Sequence, residues 1–113
     1  MISVRHRFHG YGSVRAVYQN GRTVRGSLMS LKYVDRGSRS GFRAAVVVSK
    51  KVHKSAVTRN RIRRRIYEII RLADRHLTDR KDLVLTVFSD QAADMESGKL
   101  RQAVESLLSK AGR

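Results

Sequence analysis

Apolar and polar positions alternate along the chain in patterns that predict six elements. Val14, Val17 and Tyr18 stand at i, i+3 and i+4, the spacing of one helical face, with Ser13 placed to cap it. Asn20-Gly21 then stops that helix. The same pair is a hairpin signal, but apolar spacings of three and four favour a helix over a strand. Residues 23–34 predict one strand, with Met29, Leu31 and Tyr33 on one face and Leu28 out of step. A polar loop over 35–40 follows. Residues 42–49 predict a second strand, whose run Ala44-Ala45-Val46-Val47-Val48 is continuously apolar, as in a central strand covered on both faces.

Ser55 predicts the N-cap of a long helix reaching about Leu77. Its apolar stripe is Ile62, Ile66, Ile69, Ile70, Ala73 and Leu77, within an arc of about 100°. Leu72 falls outside it. Leu83 to Phe88 predicts a second buried strand. Ser97 to Lys110 predicts a final helix facing inward through Leu100, Val104, Leu107 and Leu108. The order helix, strand, strand, helix, strand, helix is that of an α+β fold, a small and mostly antiparallel sheet packed with helices. At 113 residues the chain suits one domain, 1–113.

Charge changes the picture from fold to function. Lys and Arg number 25 against 9 acids, a net charge of +16. Residues 1–67 carry 17 of the basic residues and one acid, Asp35, whereas residues 68–113 carry eight of each. A solubility bias would not segregate this way, and +16 of self-repulsion weakens a fold unless a polyanion relieves it. The segregation predicts an RNA-binding surface in the first three fifths of the chain. The absence of cysteine excludes disulfides and thiolate metal sites. No apolar run approaches the ~20 residues of a membrane span, and the N-terminal MISVRHRFHG lacks a signal-peptide core, so a cytoplasmic protein with no membrane partner is expected.

The densest charge lies in Arg59-Asn60-Arg61-Ile62-Arg63-Arg64-Arg65. On a helical wheel Asn60, Arg64, Tyr67 and Arg71 form a stripe opposite the isoleucines, with Arg61 and Arg63 flanking it. Arginine supplies a planar fork for phosphate and a face for bases. Arg59 is in phase with the isoleucines. Burying it unpaired would be costly, so it is expected to project past the sheet edge near Lys50 and Lys51, at a helix N-terminus.

These residues carry a resemblance. The stretch from Ala45 through Ser49-Lys50-Lys51-Val52-His53-Lys54-Ser55 to Arg59-Asn60-Arg61-Ile62-Arg63-Arg64 resembles the signature of the bacterial ribonuclease P protein component. It is an apolar strand ending in Ser-Lys-Lys, a short crossover, then an Arg-Asn-Arg helix with a further basic pair. The resemblance implies an α/β sandwich with a left-handed βαβ crossover. It implies a protein subunit that binds a catalytic ribonuclease P RNA and the 5′ leader of precursor tRNA. The ribonucleoprotein is an endonuclease that removes the leader, and the RNA does the chemistry with Mg2+. Carried over by position, Ser49, Lys50, Lys51, Arg59, Asn60, Arg61, Arg63 and Arg64 contact RNA, and Phe8, Val14 and Tyr18 line a cleft for the leader. The chain departs from the family at His53, where glycine is frequent, and at Val14, where an aromatic is usual. At Tyr67 a further cation is common, while Arg65 is extra.

Two other readings stand beside this one. A small basic ribosomal protein shares the size and charge. An autonomous nuclease would need an acid–base pair from His6, His9, His53 and His76, but phosphate contact explains their basic surroundings more simply. His6 and His9 have His-x-x-His spacing, yet Asp35 is the only acid in the basic half to help complete a metal site, and none is expected. Asp79, Asp82, Asp90 and Asp94 are read as caps and turns.

Overall fold

The computed structural model describes residues 17–35, 42–73, 75–78 and 81–111. Four strands form one sheet: β1 (Arg22–Arg25), β2 (Met29–Asp35), β3 (Arg43–Val48) and β4 (Lys81–Val87). The helices α1 (Ala56–Leu72) and the short α2 (Arg75–Thr78) lie between β3 and β4, and α3 (Ser97–Ala111) follows β4. A 3₁₀ turn spans Asp90–Ala93, and residues 17–20 are helical. The predicted Ser13 cap and Val14 lie outside the described residues.

The sheet order is β1-β2-β4-β3. β1 and β4 each pair antiparallel with β2, and β3 pairs parallel with β4, so the sheet is mixed. Parallel neighbours require a crossover, and α1 lies on it. The run Ala44–Val48 is therefore at the sheet edge and not in its centre, a correction to the pattern reading. Ala44, Val46 and Val48 are buried while Ala45 and Val47 are only partly so. The inner strands are β2 and β4, and in β4 Leu83, Val84 and Leu85 are all fully buried.

The single strand expected over 23–34 is a hairpin, β1 and β2. Gly26 turns the chain, its N–H donating to the Met29 carbonyl at 2.9 Å. A Cβ at Gly26 would stand 3.0 Å from that oxygen and 3.3 Å from the Leu107 side chain, so the turn also permits close packing of α3. At Gly21 a Cβ would collide with the Val17 carbonyl oxygen and stand 3.0 Å from that of Tyr33. The predicted stop at Asn20-Gly21 is thus also where the first helical segment is pressed against β2.

Register divides the sheet into two faces. Met29, Leu31, Leu83, Leu85, Val87, Ala44, Val46 and Val48 point to the main core, where Ile62, Ile66 and Ile70 of α1 and Leu100, Val104 and Leu108 of α3 meet them. Ser30, Lys32, Thr86, Val84, Ala45 and Val47 occupy the opposite face. α1 ends earlier than expected. Ala73 is extended (φ −67°, ψ 154°) and donates back to Ile70, so Ala73 and Leu77 pack on the core from beyond the helix. Leu72, outside the apolar stripe, is 68% exposed.

Candidate nucleic-acid interface

The turn after β3 sets the first part of the site. Ser49, Lys50 and Lys51 are exposed, and Val52 closes their turn by donating to the Ser49 carbonyl at 3.0 Å. His53, the departure from glycine, has a structural use: its Nδ1 accepts from the Ser55 N–H at 3.0 Å. Ser55 then caps α1 as predicted, its Oγ accepting from the Thr58 N–H at 3.4 Å.

Arg59 turns toward the crossover that follows β3. It folds back and donates through Nη1 to the carbonyls of His53 and Lys54, both at 2.9 Å. The physical reason is the one that made its burial costly: a guanidinium in phase with the core must find acceptors, and the crossover carbonyls supply them. Arg59 therefore fastens the crossover to the first turn of α1.

The remaining cations of α1 separate by partner. Arg64 is exposed and makes no hydrogen bond or ion pair among the described residues, and the same is true of Lys50 and Lys51. Arg63 bonds the side-chain oxygen of Asn60. Arg61 pairs with Asp94 at 3.0 Å, both well exposed. Arg65 is turned inward, donating to the Ala92 carbonyl at 2.7 Å and to that of Met95. The extra arginine thus holds the connection that leads into α3. Arg71 grips Glu68 and holds its carboxyl down at about 2 from the usual 4.5.

Tyr67 leaves the expected solvent stripe. Its hydroxyl accepts from the Val46 N–H at 3.0 Å, and its ring packs against the core. Val46 lies on an edge strand, whose outward N–H groups lack a ladder partner, so the tyrosine supplies one.

On the opposite sheet face, Tyr18 is where the candidate cleft is described; Phe8 and Val14 lie outside the described residues. Tyr18 is 37% exposed. Its hydroxyl and the Thr86 Oγ1 are hydrogen-bonded at 3.0 Å, Lys32 donates to its carbonyl at 3.1 Å, and the Lys32 ammonium stands 5.3 Å from its ring centroid. Val17 and Val84 are buried yet separate from the main core. Sequence reasoning missed Lys32 and Thr86. Lys32 was legible as a polar position in an alternating strand, but Thr86 was hidden in the run LVLTVF. Asp82 corrects the reading of it as a cap or turn. It is buried on β4 and accepts from Arg43 Nε and Nη2 at 3.0 and 2.7 Å, a pair that raises the Arg43 pKa. Among the described residues no cluster of three or more His, Cys, Asp or Glu could hold a metal ion. No described helix is long and apolar enough to cross a membrane.

Fold and site together define a basic α+β protein with a cationic crossover helix on one side of its sheet and a face bearing Tyr18 and Lys32 on the other. The Ribonuclease P family model matches residues 3–112. The ribonuclease P protein component of Synechococcus elongatus is 36% identical over 110 residues, covering 94% of this chain and 89% of the relative. That of Clostridium kluyveri is 34% identical and covers 95% of both chains. Among solved structures, the Staphylococcus aureus RNase P protein superposes with a TM-score of 0.80 at 25% identity, covering 94% of each chain. The Thermotoga maritima RNase P protein shares the fold at a TM-score of 0.77 and 18% identity, covering 86% of this chain and 89% of that one. The chain belongs to the bacterial ribonuclease P protein family.

Proposed function

We propose that the chain is the protein subunit of a ribonuclease P ribonucleoprotein, with two RNA surfaces. The first joins Ser49, Lys50 and Lys51 to the exposed side of α1, with Asn60, Arg61, Arg63 and Arg64 meeting the catalytic RNA. Arg59 contributes by fixing the crossover that presents them. The second is the Tyr18 face, which takes the unpaired 5′ leader of precursor tRNA; the family resemblance assigns Phe8 and Val14 to the same ligand. Aromatic rings suit unstacked bases, and Lys32 beside Tyr18 suits a phosphate. Cleavage belongs to the RNA subunit and its Mg2+ ions; this chain's part is to bind and orient.

The observation that carries the reading is the set of exposed cations Lys50, Lys51 and Arg64, without a partner among the described residues, on a chain of this family. Reconstitution tests it. Added to a bacterial ribonuclease P RNA, the purified chain should restore precursor-tRNA processing at low magnesium, where RNA alone is slow. No gain over RNA alone, or co-sedimentation with ribosomal subunits in high salt instead, overturns it.

A further inference from the structure

Phe88 is 52% exposed. A single exposed ring is unremarkable on a protein surface, but this one is held in place and flanked by chemistry. Its N–H donates to the Leu28 carbonyl at 3.0 Å, continuing the β2–β4 ladder one step past the Met29–Val87 pair. Val87 points into the core, so strand alternation carries Phe88 to the face of Thr86, which bonds the Tyr18 hydroxyl. The parallel register ends at Val48 opposite Val87, which brings Ser49 alongside Phe88 and begins the exposed Lys50-Lys51 turn there.

Phe88 thus stands at the junction of the two surfaces described above. Sites for single-stranded RNA combine stacking rings with cations that neutralise the backbone. Resting on the proposed function, we propose that Phe88 is a base-stacking platform for one unpaired leader nucleotide, at the point where the strand leaves the Tyr18 face for the Lys50-Lys51 turn. Two residues along a strand cover about 7 Å, a distance that one extended nucleotide spans. The platform is tolerant of base identity, because every base has a π face.

The chain contains no tryptophan, so Phe88→Trp gives a single reporter. Titration with a single-stranded oligoribonucleotide of leader sequence should quench its fluorescence in step with binding measured by anisotropy of the labelled RNA. In the reconstituted holoenzyme, Phe88→Ala and Phe88→Leu should weaken precursor tRNA about 5- to 10-fold, while leaving affinity for mature tRNA unchanged, and Phe88→Tyr should restore it. The leucine variant keeps apolar surface and loses only the π face. Unquenched fluorescence at saturating RNA, or wild-type affinity in the leucine variant, overturns the platform, as does self-association of the wild type that the alanine variant abolishes. Failure of the function itself is separate: the wild-type chain would then give no low-magnesium activity.

Discussion

At the scale of single residues, the arginines of one short run have different work. Arg59 closes a loop through two carbonyls, Arg65 secures the approach to α3, and Arg64 points to solvent with no partner among the described residues. Two substitutions separate these roles. Arg59→Ala removes two charge-assisted hydrogen bonds at the crossover and should lower stability by about 1–2 kcal/mol in urea denaturation. Arg64→Ala should change stability by less than about 0.5 kcal/mol but weaken RNA binding. Glu68 offers a test by pH. Its bond to Arg71 depresses its carboxyl to about 2 from 4.5. A carboxylate lowered by folding stabilises the fold above its unfolded value, and that contribution is lost as pH falls from about 4.5 through about 2. NMR titration of the Glu68 carboxyl should find a midpoint near 2 in the native protein, returning toward the ordinary range in Arg71→Ala.

At the scale of elements, α1 does more than cover the sheet. Tyr67 reaches from it to the Val46 N–H of the edge strand. Tyr67→Phe keeps the packed ring and removes the acceptor, so it should cost about 1 kcal/mol and hasten hydrogen exchange at the Val46 amide above that of its neighbours. Sequence patterns made much of this level legible. The cap at Ser55, the isoleucine stripe and the final helix stand where periodicity and propensity put them; the strand predicted over 83–88 forms over 81–87 and leaves Phe88 exposed past its end. The errors have physical causes. Ala44–Val48 reads as central because its run is apolar, but burial of an edge strand by a crossover helix leaves the same signature. Ala73 and Leu77 stay in phase with the stripe although the helix has ended, since the core they face is continuous past the break. The hairpin leaves only a change of phase in the sequence: Val24 faces the core from an even position and Met29 and Leu31 from odd ones, with Gly26-Ser27 between them, and Leu28 out of step is its local trace. At the site, spacing located the cations; their partners, such as Asp94 for Arg61, come from elements distant in sequence and leave no local trace.

At the scale of the molecule, the charge asymmetry governs how binding responds to salt. If about 6 phosphates are neutralised, affinity for RNA should fall about 10³-fold between roughly 50 and 200 mM salt. Arg64→Ala should shallow that slope by about one charge. Filter binding across a salt series measures both.

The strand order has a consequence for how the chain is made. β4 lies between β2 and β3, yet it is the last of the four to be synthesised. Among the described strands, only the β1–β2 hairpin pairs strands that both precede it, and β3 has no neighbour except β4. On the ribosome, the segments that carry the whole net charge therefore emerge before the strand that unites them exists. The nascent chain is for that time an unfolded polycation among ribosomal RNA. Completion of β4 is what turns a chain attracted to any nucleic acid into one with a defined surface for its own.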